Sequence, residues 1–304
     1  MDLAKKSISG ILLVITGILV ASNIYTLIPL YDVIGGEMGI SPREVASGSM
    51  LFTLFYAFGL LVFGPVSDRL GRKNIIVAGL FLSALTTFSV SLADAPSELF
   101  LFRSLQGFTL ASFAPVTFLY MFELFEGKER TLWLALINSG FLAAGILGQI
   151  LSSALMTLGE WQWVYRIFAL FYGLFFLLNI LLLPKTFSLR KTAHPREILK
   201  EMGFVLKERE MKAIYLIVFT LLLSFVAFYE AWGYQKSEGE NFIALRGVGL
   251  LGASLSIFTG HFLEKIGSCK TLLSGIILGW ISIGIMLFAT PIRPVVSIFF
   301  VASI

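Results

Sequence analysis

Long apolar runs, each near the ~20 residues a bilayer-spanning helix requires, recur along this chain with short polar breaks between them. Nine fall roughly at 8–30, 46–66, 74–93, 99–123, 131–157, 163–184, 213–235, 243–263 and 270–290, and a tenth opens near Val295 and stops at Ile304. In hydrocarbon every backbone N–H and C=O needs an internal partner, so runs of this length are read as helices. Charged residues make up 14% of the sequence, against about a quarter in soluble domains, and the mean hydropathy is +0.88. The expected fold class is therefore an all-α polytopic membrane protein.

The bases set the expected orientation. With the N-terminus inside, 17 of the 23 Lys and Arg residues fall on inner segments and five on outer ones, leaving Arg103 within a run. Cytoplasmic loops carry such an excess. The chain is thus expected in the cell (plasma) membrane, multi-pass, with a cytoplasmic N-terminus. The longest polar segment, 185–212, divides a six-helix bundle at 1–184 from a partial second bundle at 213–304, with three full runs and the start of another. Pro195–Met202 has the pattern of an amphipathic helix on the inner leaflet, or of a solvated tether.

Several function classes drop out on composition. The sequence pI near 9.1 invites a nucleic-acid partner, but the bases lie in loops between apolar runs, so none is expected. Cys269 is the single cysteine, and the histidines are His194 and His261. That set makes neither an intrachain disulfide nor a familiar metal site. No nucleophile–base pair or phosphate loop is present, so no enzyme and no cofactor are expected. The first run is long enough to span and lacks a small-residue cleavage site, so it is not read as a removable signal.

Between the second and third runs lies Gly64-Pro65-Val66-Ser67-Asp68-Arg69-Leu70-Gly71-Arg72-Lys73, with one acid and three bases. Gly64 and Gly71 suit the tight turn of a helix–helix hairpin. Asp68 has bases one and four residues on, so ion pairing can hold it charged near lipid. The spacing returns 196 residues later in Gly260-His261-Phe262-Leu263-Glu264-Lys265-Ile266-Gly267, where Glu264 and Lys265 replace Asp68 and Arg69. Ser268 and Cys269 then stand where Arg72 and Lys73 stood.

The first stretch resembles the G-x-x-x-D-R-x-G-R-K signature between helices 2 and 3 of the major facilitator superfamily, matching at Gly64, Asp68, Arg69, Gly71, Arg72 and Lys73. Two copies, each after a spanning run in its own half, fit that family's duplicated architecture. The resemblance implies two six-helix bundles, the second incomplete in this sequence. It also implies that Glu123 pairs with Arg72 in an inner gate together with Asp68.

Other residues carry weaker signals. Arg103-Ser104-Leu105-Gln106-Gly107 resembles the family's R-x-x-Q-G motif, which implies proton coupling or substrate contact for Arg103, with Gln106 beside it. An arginine on a spanning helix is costly enough to need a cavity or a partner, and pinning for packing alone is the competing reading. Asn23 and Tyr25 bring polarity to the first run in a segment that resembles the family's Y-x-x-x-P-L, and are candidate substrate contacts or interhelical hydrogen-bonders. Glu230 sits in the outer third of the seventh run among Tyr229, Trp232 and Tyr234, either as a proton- or cation-binding carboxylate or as an interfacial group. Gly140, Ala144 and Gly148 form a small-residue stripe suited to helix packing. It overlaps a degenerate form of the family's antiporter signature, which lacks the proline here. Glu160-Trp161-Gln162-Trp163-Val164-Tyr165 resembles the W-R-W-x-F element of efflux members, although an interfacial aromatic anchor explains it equally.

The expected function is secondary transport of a small molecule by alternating access, with proton-coupled efflux (antiport) first. Proton-coupled uptake of a sugar or organic anion is the alternative, and a non-transporting remnant or interaction module the alternative of another class. The expected partners are a small-molecule substrate, protons and the lipid bilayer, with a monomer as the full-length form. Because the second half holds fewer runs than the first, the sequence is read as a C-terminally truncated fragment that does not transport by itself.

Overall fold

A computed structural model describes residues 3–185, 203–204, 207–234, 251–252, 255, 259–288 and 293–303. Among these all regular structure is helical. They fall into two compact units, Met1–Lys191 and Thr192–Ile304.

The first unit contains α1 (Leu3–Ser22), α2 (Tyr31–Met38), α3 (Pro42–Leu70), α4 (Arg72–Val90), α5 (Pro96–Leu110), α6 (Ala114–Leu124), α7 (Gly127–Met156) and α8 (Gln162–Leu182). The second contains α9 (Arg209–Tyr234), α10 (Thr259–Ile266), α11 (Ser268–Phe288) and α12 (Arg293–Ala302). Among the described residues six stretches are long and apolar enough to cross a membrane: Pro42–Leu70, Arg72–Val90, Pro96–Leu124, Gly127–Met156, Gln162–Leu182 and Ser268–Met286. A shorter apolar helix covers Lys6–Ser22. Much of the expected run at 243–263, and most of the segment at 185–212, lie outside the described residues.

Two runs read as single spans are broken, the first near the kink that Pro29 signals. The run at 8–30 stops at Ser22, turns, and passes through a single 3-10 turn at Ile28–Leu30, with Pro29 in it, before α2. Turn bonds from Asn23 to Val20 and from Tyr25 to Ser22 tighten the exit. Backbone carbonyls near the break find side chains: Tyr172 donates to Leu19 at 3.1 Å, and Ser152 donates to Thr26 at 2.7 Å. Irregular backbone is tolerated at this depth only with such partners. The run at 99–123 likewise divides into α5 and α6, because Pro115 lacks the N–H a continuing helix needs.

The core of the first unit is made where small residues let backbones approach. α3 packs on α5, α4 on α8 and α1 on α7. A side chain on Gly107 of α5 would strike the carbonyl of Phe52 on α3, and one on Gly148 of α7 would strike the carbonyl of Ser22. A Cβ on Gly140 would lie 2.8 Å from Ile18, while Ala144 is wholly buried. The stripe Gly140, Ala144 and Gly148 thus faces α1 and the turn that follows it. Tight van der Waals packing is the principal attraction between helices in lipid. Gly148→Val should therefore push α7 off the Ser22 turn and destabilise the fold by about 1–3 kcal/mol, the range for overpacked sites. The expected readout is a lower melting temperature in detergent; a wild-type melting curve would place the contact elsewhere.

In the second unit α11 packs on α12, with Met286, Val296 and Phe300 buried there. A side chain on Gly275 would lie 2.8 Å from the carbonyl of Ser303.

Candidate functional site

Two polar clusters stand inside the apolar first unit. The first sits at the junction of α3 and α4. The expected hairpin there is reduced to one residue: α3 runs on to Leu70, α4 begins at Arg72, and only Gly71 lies between, at φ +90°. That conformation strains any residue with a Cβ. Gly64 does not take part in the turn. It is buried within α3, and its carbonyl accepts the Ser67 hydroxyl at 2.6 Å, because α3 extends a full turn and more beyond it.

Arg72 organises this cluster. Its Nη2 lies 2.5 Å from Asp68 Oδ1, its Nε donates to Glu123 Oε1 at 3.0 Å, and its Nη1 donates to Ser67 Oγ at 2.6 Å. The i,i+4 spacing brings Asp68 to Arg72, and α6 brings Glu123. Asp68 is about one-third exposed (34%) and Glu123 more enclosed (16%), so the two carboxylates are not equivalent. Arg69, in the last turn of α3, stays out of the cluster, and its Nε has no hydrogen-bond partner.

Lys73 has a task that charge counting does not reveal. Its Nζ donates to the carbonyls of Ile180 and Leu183 at 2.6 and 2.5 Å, so it caps the C-terminal end of α8. Tyr120 of α6 donates to Pro184 at 2.6 Å. Two bases in the first turn of α4 oppose that helix's dipole. Arg72 is compensated by its carboxylates, and Lys73 by the negative end of α8.

The second cluster surrounds Arg103 on α5, which has no exposed surface. Its Nη1 donates to Gln106 Oε1 at 2.6 Å and to Asn23 Oδ1 at 3.2 Å. Gln106 Nε2 donates in turn to Thr87 on α4 at 2.9 Å. Thr26 donates to the Asn23 carbonyl at 3.0 Å. The guanidinium lies over the Phe52 ring at 4.2 Å and near the Tyr165 ring at 5.9 Å. Aromatic faces stabilise a cation without neutralising it. Four of the packed elements and the turn after α1 thus converge on a single positive charge.

Tyr25 does not join that network. Its ring lies about 3.5 Å from where a Cβ of Gly145 would be, over α7. The side chain of Glu230 lies outside the described residues.

On the opposite edge, Trp161 is fully buried rather than set in an aromatic belt. Its indole N–H donates to Glu37 Oε2 at 2.8 Å, Gln162 donates to Glu37 Oε1 at 3.1 Å, and its ring meets Tyr165 edge-on. Glu37, on α2, fastens that short helix to the start of α8. Sequence reasoning passed over it, since a partner 124 positions away leaves no local signal.

Helices of spanning length, small-residue packing and buried charge define a polytopic membrane helix bundle. The profile of the Major Facilitator Superfamily matches residues 13–304, and the chain belongs to that family, whose members are transporters rather than enzymes. The inner membrane transport protein YnfM of Escherichia coli (strain K12) is 26% identical over 261 residues, covering 84% of this chain and 61% of YnfM. The chloramphenicol resistance protein CraA of Acinetobacter baumannii is 29% identical over 134 residues, covering 44% of this chain and 32% of CraA. The solved structure of the proton:xylose symporter XylE superposes with a TM-score of 0.73 at 13% identity, covering 100% of this chain and 80% of that one. The chain therefore spans about three-fifths of YnfM's length.

Proposed function

We propose that the protein is a secondary active transporter that moves a small molecule by alternating access, in the direction of proton-coupled efflux. The observation that carries this reading is Arg72 bridging Asp68 and Glu123 beside the one-residue joint at Gly71. An ion-pair cluster beside a one-residue link supplies contacts that can be made and broken, as a gate needs. Asp68, Arg72 and Glu123 are assigned to that gate, with Gly71 as its joint and Lys73 as its anchor to α8. Arg103, Gln106 and Asn23 are assigned to substrate contact or coupling, because they place a full charge inside an apolar bundle. The drug-resistance name of CraA supports the efflux direction.

The test is an accumulation assay in cells expressing the full-length protein, with a panel of labelled solutes and a collapsible proton gradient. The expected result is lower accumulation of at least one solute, reversed by an uncoupler. Higher, uncoupler-sensitive accumulation would reverse the direction, and no gradient-dependent difference for any solute would reject the transport reading.

The orientation carries its own expectation. With the N-terminus inside, a reporter fused after Lys191 should read cytoplasmic, since the bases crowd that side. A periplasmic signal at that position would invert the topology.

A further inference from the structure

An arginine is not deprotonated in a protein, so Arg103 carries a full positive charge where it has no exposed surface. The Nη1 atom is satisfied by two amide oxygens. Nε and Nη2 have no hydrogen-bond partner. Both atoms are donors. Among the described residues no carboxylate lies within 4.0 Å of the guanidinium. Buried polar groups are hydrogen-bonded in the large majority of cases, and buried charges are paired.

We propose that Arg103 and Asn23 form a binding site for a small monovalent anion, either the carboxylate of a transported solute or an inorganic halide. The proposal deepens the transport reading by naming the charge class the site accepts, and it rests on that reading only for the solute. The geometry favours a carboxylate. Nε–H and Nη2–H share one edge of the guanidinium plane, and that edge grips two carboxylate oxygens in parallel. Both donors on this edge are unpartnered, while the acceptors around the group, Oδ1 of Asn23 and Oε1 of Gln106, are engaged on Nη1. A cation would meet like charge here. Tyr165, whose ring lies 5.9 Å from the guanidinium, also has a buried hydroxyl that can donate, so an acceptor-only anion matches the surplus of donors and balances the charge.

The test measures binding of radiolabelled benzoate and radiolabelled chloride to the protein in lipid nanodiscs at constant ionic strength. Wild type is compared with Arg103→Gln and Asn23→Asp. The wild-type protein should bind benzoate saturably, and both variants should bind it more weakly by about ten-fold or more. Asn23→Asp is the sharper probe: it places a built-in carboxylate where Oδ1 lies 3.2 Å from Nη1 and keeps the side-chain shape. Its melting temperature should exceed that of wild type without added anion and should no longer rise with benzoate. Saturable chloride binding without benzoate binding would assign the site to an inorganic counter-ion. No saturable binding of either anion by wild type, or unchanged binding by Asn23→Asp, would overturn the site. Gradient-driven transport without anion binding would remove the site and leave the transporter. Anion binding without transport would do the opposite.

Discussion

Arg103→Ala should abolish gradient-driven transport by the reconstituted full-length protein, with a loss of roughly 100-fold or more. Hydrogen bonds to a charged group are worth about 1.5–3 kcal/mol each, Nη1 makes two of them, and about 1.4 kcal/mol corresponds to ten-fold. The substitution also orphans the Gln106 oxygen that now accepts from the guanidinium and leaves Asn23 Oδ1 only the Thr26 hydroxyl at 3.4 Å. Arg103→Lys should restore only part of the activity, because an ammonium that donates to both amide oxygens has one donor left and no planar two-donor edge. Folded yield, read by size-exclusion chromatography, separates the two effects. Alanine protein that is monodisperse and transports at the wild-type rate would reduce Arg103 to a packing residue.

The next largest change should come from the inner cluster, and its two carboxylates should behave differently. Asp68→Asn keeps the shape, and Arg72 retains Glu123 and Ser67. With a third of its side chain exposed, Asp68 contributes little to stability, as solvated ion pairs do. We expect turnover to fall by about ten-fold while the melting temperature barely moves, because the lost contact matters when the joint opens and closes. Glu123→Gln, at a more enclosed position, should lower both. Arg72→Ala should be the most destabilising of the three, since removing one partner of an enclosed pair costs about 3–5 kcal/mol. Paired measurements of flux and thermal unfolding check the order. Unchanged turnover in Asp68→Asn would remove the cluster from the gate.

How much of this is legible in the sequence depends on the span of each interaction. Arg103 and Gln106 lie three residues apart and Asp68 and Arg72 four, so helical spacing announces both pairs. The link from Arg72 to Glu123 was available only through family resemblance. The link from Arg103 to Asn23 crosses 80 positions, and neither residue names the other. Thr87 and Ser67 look like ordinary hydroxyls in helical runs, yet they receive a Gln106 amide and an Arg72 N–H. Lys73 reads as one more inner-side base until α8 is seen to end against it. Hydropathy also hides the breaks at Ser22 and Leu110, because the few polar residues at each sit inside otherwise apolar runs. At the first break the backbone is met by Ser152 and Tyr172, supplied from α7 and α8.

The single residue between α3 and α4 has a mechanical consequence. At about 1.5 Å per residue, the 29 residues of α3 make a rod roughly 43 Å long. Swung by about 10° on Gly71, the far tip at Pro42 sweeps roughly 7–8 Å, while Asp68, three residues from the pivot, moves less than about 1 Å. On the proposed gating, the joint would act as a lever with its short arm at the ion pairs and its long arm at the far end of α3. A shift below about 1 Å at Asp68 would then be amplified to several ångströms at Pro42.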